Sequence, residues 1–171
     1  MKKILFVRHA RASYPIQTIT DHNRPLSDIG IKEAEIMAKS LLAEKIIPQL
    51  YLSSSAKRAV DTSRIIVNEI NNQLIDTILI NDKIYYNGLD GVIDSIKEVD
   101  LDNKYNFISI FGHNPAFEDI YNSIKGTSFH KFPTCAMVLC SFEVKKWVDF
   151  SIKSSSFIWY NHPNNIKHNF K

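Results

Sequence analysis

The sequence has few of the residues that build disulfides, metal sites or glycine-rich loops. Its 171 residues include only five glycines, and none of these form a glycine-rich phosphate-binding loop, so nothing indicates a nucleotide site. The two cysteines are too few for a zinc site, and no histidine pair has the helical spacing of metal ligands. We therefore expect a protein that needs no metal and no cofactor.

Long apolar runs and a strong charge of one sign are also missing. No apolar stretch approaches the roughly 20 residues of a membrane-spanning helix. The formal net charge of +3 is too small to indicate nucleic-acid binding, although it slightly favours anionic substrates. The apolar run after Met1-Lys2-Lys3 is interrupted by Arg8, too early for a secretory signal. We expect a cytoplasmic protein with no nucleic-acid or membrane partner, and a single domain over residues 1–171.

Apolar strands alternate with amphipathic helices along the chain. A good N-cap at Ser27 begins the first helix, and Gly126 ends a later one. Alternation of this kind is typical of a three-layer α/β sandwich with a mostly parallel central sheet, helices on both faces and an antiparallel edge. The predicted strands lie near residues 4–7, 50–52, 78–80, 84–85, 107–111, 136–142, 147–152 and 157–160.

Three of the predicted strands end in basic or imidazole side chains. Arg8 and His9 follow the first strand, Arg58 lies just beyond the second, and His113 follows the strand at residues 107–111. Ligands bind at the carboxyl ends of strands in such sheets, where helix N-termini favour anions. Because two arginines offer forked donors that match a phosphoryl group, the sequence predicts a phosphate site at this edge.

An imidazole within such a site is able to attack phosphorus. The attacking nitrogen must carry a lone pair, so the other ring nitrogen has to donate its proton, most simply to a backbone carbonyl. A second, charged histidine would donate to the phosphoryl oxygens and stabilise the charge that spreads over them in the transition state.

Several of these segments resemble the histidine phosphatase superfamily, and within it the branch of SixA-type phosphohistidine phosphatases. The alanine at position 10, where most members have glycine, is a variant of that branch. The resemblance covers the chain to about Phe142 and implies a phosphoglycerate-mutase-like fold. Its motifs are Arg8-His9-Ala10, Asp21-His22-Asn23-Arg24-Pro25-Leu26-Ser27 with Gly30, Ser53-Ser54-Ser55-Ala56-Lys57-Arg58-Ala59 with Thr62, Gly112-His113-Asn114-Pro115 and Phe132-Pro133-Thr134.

The resemblance implies a role for each of the main side chains. His9 would accept the phosphoryl group as nucleophile, and Arg8, Arg58 and His113 would form the phosphate pocket. Arg24 would add a further basic group to the phosphate pocket or would anchor its loop. The alternative is that Arg24 forms an ion pair with Asp21 that shapes the loop. Asn114 is a further substrate-binding candidate, and it is also a candidate N-cap of the following helix.

The chain departs from the larger members of the superfamily at their general acid. Those members carry a carboxylate after the third strand, whereas no carboxylate lies between Asp82 and Asp90 here. An alkoxide leaving group needs a proton in the transition state, and phosphohistidine does not need the same help. The sequence therefore favours a phosphohistidine substrate. Asp21 is the best remaining candidate for an acid, with bracing of its loop as the alternative.

We therefore predict a phosphoric hydrolase that dephosphorylates phosphohistidine on a signalling or phosphotransfer protein. The shallow pocket expected without a long insertion suits a protein substrate, and its rim would include Ser13, Tyr14, Tyr85 and Tyr86 unless the tyrosines are packing residues. One alternative is a small-molecule phosphomonoesterase that uses the same site. Another, from a different class, is a non-catalytic phosphate-binding protein on this fold.

Overall fold

The structure is a computed structural model that describes residues 1–100, 102–126 and 130–167. Six strands form one sheet in the order β3-β2-β4-β1-β5-β6. They are β1 (Lys2–Arg8), β2 (Leu50–Ser54), β3 (Leu79–Asn81), β4 (Phe107–Gly112), β5 (Met137–Phe142) and β6 (Ser155–Asn161).

Within the described residues, six α-helices connect or follow these strands, and short 3₁₀ helices occur in several of the loops. The α-helices are α1 (Asp28–Ala43), α2 (Lys57–Asn71), α3 (Lys83–Tyr86), α4 (Gly88–Glu98), α5 (Ala116–Lys125) and α6 (Pro163–Lys167).

The four strands β3, β2, β4 and β1 are parallel, and β5 and β6 extend the sheet by antiparallel pairing. The prediction of a mostly parallel sheet with an antiparallel edge is therefore confirmed. The two central strands of the six-stranded sheet are β4 and β1, whose residues pair in register up to Gly112 and Arg8. That register brings the residues that follow the two strands to one edge of the sheet.

Both faces of the sheet are covered, as the three-layer prediction requires. On β1, Ile4 and Phe6 belong to the core under α4 and α5, whereas Leu5 and Val7 belong to the core under α1 and α2. Each of these four side chains is at most 1% exposed. Successive strand residues point to opposite faces, so an uninterrupted apolar run is what a strand between two helical layers needs.

Two predicted helix ends are present in the structure. The Ser27 hydroxyl accepts a hydrogen bond from the amide of Gly30 (3.1 Å) and caps α1. Gly126 ends α5 in the left-handed conformation, with φ of 66°, which glycine adopts without strain.

The start of α5 differs from the prediction, because Pro115 and not Asn114 occupies the N-cap position. Asn114 does not cap the helix, since its side-chain amide donates to the carboxylate of Glu118 and to the carbonyl of Phe132.

Two predicted strands are helical instead. Residues 84–85 lie in α3, where Ile84 is buried in the core and Tyr85 faces the carboxyl edge of the sheet. Residues 147–152 form parts of two 3₁₀ helices with Trp147 and Phe150 buried. A spacing of three between inward-facing aromatic residues is a helical period, and it outweighs the strand propensity of the segment.

The two cysteines lie in the core and form no disulfide. Cys135 and Cys140 are both free and buried, and they belong to the cores on opposite faces of the sheet. Within the part of the chain that the structure describes, no helix combines the length and the apolar character that crossing a membrane requires.

Candidate active site

The structure brings together the side chains that follow three adjacent strands. His9 follows β1, His113 follows β4, and Arg58 lies in the first turn of α2, which follows β2. The ring centroids of the two histidines are 5.0 Å apart, and the Arg58 Nε lies 3.3 Å from Nε2 of His9. The cluster thus lies at the carboxyl edge of the central parallel strands, as the sequence predicted.

The hydrogen bonds of His9 fix its tautomer from both sides. Its Nδ1 lies 2.7 Å from the carbonyl oxygen of Ala10, which only accepts, so Nδ1 carries the proton. The Nε2 atom faces the Nε–H of Arg58, which only donates, so Nε2 presents a lone pair. This is the arrangement that nucleophilic attack by an imidazole requires.

Burial keeps this ring neutral. Burial, together with the charges of Arg58, Arg8 and Arg24, lowers the pKa of His9 to about 3, while the hydrogen bond to Ala10 acts in the opposite direction. The lone pair on Nε2 is therefore available throughout the neutral pH range.

The backbone around His9 is held by α2. The Ala10 amide donates to the Thr62 hydroxyl (3.0 Å), and that hydroxyl donates to the carbonyl of Arg58 (2.6 Å). Ala10 is fully buried against the core under α1 and α2. One threonine side chain thus fixes the distance between the loop that carries His9 and the helix that carries Arg58.

Asp21 holds Arg58 and Arg24 in place. Arg58 donates through Nη1 to the backbone oxygen of Asp21 (2.6 Å) and through Nη2 to its carboxylate (3.0 Å). Arg24 donates to the other carboxylate oxygen (2.8 Å) and also to the carbonyl of Ser13. Arg24 thus makes the ion pair with Asp21 that the sequence offered as an alternative, and it ties together the two ends of the loop.

The Asp21 carboxyl is ionised at neutral pH. Its pKa is lowered to about 2, chiefly by the hydrogen bond from Arg24, and burial opposes this shift. The Tyr85 hydroxyl, which donates to the carboxylate (2.9 Å), and Arg58 act in the same direction as Arg24. A group with this pKa carries no proton to give to a leaving group near pH 7. The contacts support the bracing alternative for Asp21.

Arg8 is held by contacts separate from those at Asp21. It donates from Nη1 to the carbonyl of Phe132 (2.7 Å), while its Nε is buried and unpaired within the described residues. Burial lowers the pKa of Arg8, and the nearby charge of Glu118 opposes that shift. The Glu118 carboxylate also accepts from the Phe132 amide (3.1 Å), so it fixes the carbonyl that Arg8 contacts.

Asn114 belongs to the same network. Its amide nitrogen donates both protons, to Glu118 (2.9 Å) and to the Phe132 carbonyl (3.1 Å). In this arrangement the amide has no donor left for a phosphoryl oxygen. Asn114 thus lies next to the cluster, and its contacts are with Glu118 and Phe132, the residues that hold Arg8 in place.

Ser54 determines which nitrogen of His113 carries a proton. The buried Ser54 hydroxyl accepts from the amide of Ala56 (3.3 Å) and lies 2.7 Å from Nε2 of His113. Among the described residues its single proton has no other acceptor, so it is donated to Nε2, and the neutral ring carries its own proton on Nδ1. That Nδ1 atom is buried and has no partner in the described chain.

The neutral state of His113 also has a clear cause. Burial lowers its pKa to about 2, and the neighbouring His9 and Arg58 contribute in the same direction. The expectation of a charged second histidine is thus not met in the ligand-free site. Its Nδ1–H is nevertheless a donor without an acceptor, and an anion could satisfy it.

The sequence analysis predicts no individual role for two residues that contact the site, Ser54 and Glu118. Glu118 lies four residues after Asn114 on a helix, a spacing that indicates a side-chain pair. Tyr85, which the sequence offers as a rim residue, lies in a helix and not in the predicted strand. Its ring is 5.5 Å from that of His113 and 5.8 Å from the Arg58 guanidinium.

In the described residues no group of three or more histidine, cysteine, aspartate or glutamate side chains is suited to hold a metal ion.

A neutral imidazole whose Nε2 presents a lone pair lies beside two arginines at the carboxyl edge of a parallel sheet, an arrangement suited to hold a phosphoryl group and to attack its phosphorus. The model of the histidine phosphatase superfamily (branch 1) matches residues 4–81, which include His9 and Arg58. Over these residues, somewhat less than half of its length, the chain is similar to members of this superfamily.

The chain is also similar to one curated protein and, in fold, to several solved structures. The chain is 26% identical over 155 residues to an uncharacterized chloroplastic protein of Arabidopsis thaliana, covering 85% of this chain and 69% of the relative. The fold of this chain is similar to that of the protein histidine phosphatase SixA complexed with tungstate. The TM-score is 0.78 at 19% identity, and the match covers 96% of this chain and 99% of the other. The fold is also similar to that of a candidate phosphohistidine phosphatase SixA from Agrobacterium tumefaciens (TM-score 0.77, 21% identity, 95% and 98%). These structures confirm the predicted phosphoglycerate-mutase-like fold.

The hydrogen bond between Ser54 and His113 leads to a test of the tautomer. In the wild type we expect the His113 ring to carry its proton on Nδ1, as measured by ¹⁵N chemical shifts and long-range ¹H–¹⁵N couplings. Ser54→Ala removes the donor to Nε2 and should shift the ring toward the Nε2–H tautomer. Ser53→Ala is the matched control, because the hydroxyl of this neighbouring buried serine donates only to a backbone carbonyl. A wild-type ring protonated on Nε2 would contradict the assignment.

The lowered pKa values also set the pH dependence of stability. The unfolded chain protonates its histidines near pH 6.5, whereas folded His9 and His113 stay neutral down to about pH 3 and 2. The unfolded state thus binds more protons in this window, so the free energy of unfolding should fall as pH drops below 6.5. Between pH 7.5 and pH 5, the free energy of unfolding measured with urea should fall by about 1–2 kcal/mol for each ring. In His113→Gln the total fall should be about half as large. A pH-independent stability would show that the rings are already charged in the folded protein.

Proposed function

We propose that this protein is a phosphatase that forms a covalent phosphohistidine intermediate on His9 and dephosphorylates phosphohistidine on a protein. The proposal depends on one observation. His9 is neutral at pH 7, and its Nε2 lone pair faces the Nε–H of Arg58. A histidine whose role was only to bind phosphate would instead present an N–H to it. The likeness in fold to the protein histidine phosphatase SixA supports the same class of substrate.

The first chemical step moves the phosphoryl group from the substrate to His9. The Nε2 lone pair forms the new N–P bond as the bond from phosphorus to the substrate nitrogen breaks, and the bonding pair leaves with that nitrogen. If the other nitrogen of the substrate ring carries a proton, the ring leaves as a neutral imidazole. The Nδ1–H of His9 remains hydrogen-bonded to the carbonyl oxygen of Ala10. That oxygen stabilises the positive charge that develops on the ring.

The charge on the transferring group is stabilised by donors that are already in place. The guanidinium of Arg58 is held by Asp21, and that of Arg8 is held by Phe132. The Nδ1–H of His113 and the Nε–H of Arg8 are buried without partners in the described chain, and equatorial phosphoryl oxygens would satisfy both. Donors positioned before the substrate binds need no reorganisation during the reaction.

Water completes the cycle. It attacks the phosphorus of phosphorylated His9, the N–P bond breaks, and the bonding pair returns to Nε2. Inorganic phosphate leaves with the hydroxyl group of the water, and the released proton passes to phosphate or to solvent. His9 returns to the tautomer with which it began.

The leaving group narrows the choice of substrate. The carboxylate that contacts Arg58, Asp21, is ionised with a pKa of about 2 and offers no proton. General acid catalysis is worth about 10²- to 10⁴-fold for a poor leaving group, so an alkyl phosphate would react slowly here. The imidazole of phosphohistidine leaves without that help, and this favours it over a phosphomonoester.

The surroundings of the site suit a protein substrate. Tyr14 in the loop after His9 is 91% exposed, and Tyr86 at the end of α3 is 68% exposed. Aromatic side chains left in solvent beside a polar site are typical of surfaces that bind a macromolecule. We propose these two tyrosines as parts of the rim that contacts the phosphorylated protein.

Trapping the intermediate tests the mechanism. After brief incubation with a ³²P-labelled histidine-phosphorylated protein, we expect a label on the enzyme that acid removes and base does not. His9→Ala should abolish the label, because no other residue that the structure describes presents a nitrogen lone pair to the site, while circular dichroism reports whether the variant is folded. His130→Ala, a change at an exposed histidine outside the cluster, should retain the label. A label that persists in His9→Ala would contradict the assignment of the nucleophile.

Comparing substrates tests the leaving-group argument. We expect kcat/KM for a histidine-phosphorylated phosphotransfer protein to exceed that for phosphoserine by roughly 100-fold or more, since only phosphoserine needs a proton donor. Faster turnover of phosphoserine would instead favour a small-molecule phosphomonoesterase. Binding of inorganic phosphate without turnover of either substrate would indicate a non-catalytic binding protein.

A further inference from the structure

A continuous group of aromatic rings extends from the catalytic cluster to the surface. The ring of Tyr85 lies 5.5 Å from that of His113, measured between centroids, and it contacts Tyr86 at 4.8 Å and His22 at 4.9 Å. The rings of His22 and Tyr86 are nearly parallel, with 10° between their planes and 6.1 Å between their centroids. We call His22, Tyr85 and Tyr86 the aromatic wall.

The wall is built from two segments that Asp21 joins. His22 follows Asp21 in a short 3₁₀ helix, and the tyrosines end α3. The Tyr85 hydroxyl donates to the Asp21 carboxylate, and the same carboxylate accepts from Arg58. His22 is fixed by its Nε2, which lies 2.9 Å from the hydroxyl of Ser55 at the start of the α2 segment. The residues that hold the phosphate-binding arginine therefore also hold the wall.

The exposure of the rings increases away from the nucleophile. His113 and Tyr85 are half-buried, whereas Tyr86 is 68% exposed. In-line transfer to His9 requires the leaving group to depart on the side of the phosphorus opposite Nε2, which for a protein substrate is the side toward solvent. Because Tyr85 contacts Arg58 and His113, the wall begins next to the phosphoryl group and continues along this exit.

We infer that the aromatic wall is a binding site for the flat ring of the leaving group, the imidazole of a phosphohistidine substrate. A planar ring packs against aromatic side chains in offset-stacked or edge-to-face contacts at centroid distances of 4.5–7 Å, the range that the wall residues already show among themselves. An alkyl chain such as that of phosphoserine gains no such contact. The wall therefore selects a class of substrate by shape, independently of how well the group leaves.

This inference rests on the proposed function, because it needs a phosphoryl group in the pocket. The two are separated by using phosphonates, which occupy the pocket but cannot transfer a phosphoryl group. Phenylphosphonate presents a flat ring to the wall and methylphosphonate does not. Their inhibition constants therefore report on the wall without any contribution from leaving-group chemistry.

In the wild type we expect phenylphosphonate to bind about 3- to 10-fold more tightly than methylphosphonate. Tyr86→Ala should remove most of this difference, while Tyr86→Phe, which keeps the ring, should preserve it. For a phosphohistidine peptide, Tyr86→Ala should raise KM by about the same factor and leave kcat within about twofold. Phe157→Ala is a matched control, since it removes a partly exposed ring from β6, at the opposite edge of the sheet from β3.

The possible outcomes are distinct. Equal binding of the two phosphonates by the wild type, or a preference that Tyr86→Ala leaves intact, would overturn the aromatic wall while leaving the phosphatase proposal in place. Failure of the wild type to bind either phosphonate or inorganic phosphate would instead overturn the proposed function. A lower kcat with unchanged KM in Tyr86→Ala would also contradict the inference, because it would place Tyr86 in the chemical step.

Discussion

The central constraint on this structure is the gathering of two arginines and two imidazoles at one partly buried edge of a sheet. Four cations at such distances would repel one another, and burial makes each charge more costly. The molecule meets the constraint in two ways. Both imidazoles are neutral, and each guanidinium is held by a carbonyl oxygen near a carboxylate, Asp21 for Arg58 and Glu118 for Arg8. The chemical consequence is direct, because a neutral His9 is a nucleophile and a charged one is not.

The same contacts couple the site to the loop between β1 and α1. Asp21 contacts Arg24, Arg58 and Tyr85, so a single side chain connects the loop, the first turn of α2 and α3. A change at Asp21 would thus affect the proposed phosphate site and the proposed leaving-group site together. This coupling explains why a carboxylate lies among the cationic groups: it holds them in position without supplying a proton.

Much of the fold could be predicted because short runs of the sequence are enough to identify its central strands. The runs at residues 4–7 and 107–111 are apolar on both faces, and only a strand between two helical layers accommodates them. The errors have a shared cause. Residues 84–85 and 147–152 carry β-branched and aromatic side chains, but tertiary packing places them in helical turns, with Trp147 and Phe150 directed to the same core. Propensity is a weak guide where packing decides.

By itself the sequence determined which chemical groups reach the carboxyl edge, because Arg8, His9, Arg58 and His113 each lie within a few residues of a strand that parallel pairing delivers there. The tertiary structure alone decided what those groups are able to do. The proton on Nδ1 of His9, the proton that Ser54 directs to His113, and the ionised state of Asp21 all follow from hydrogen bonds and burial. Of these contacts, the one between Ser54 and His113 joins residues 59 positions apart. No local pattern encodes such a contact, since it exists only after β2 and β4 have paired.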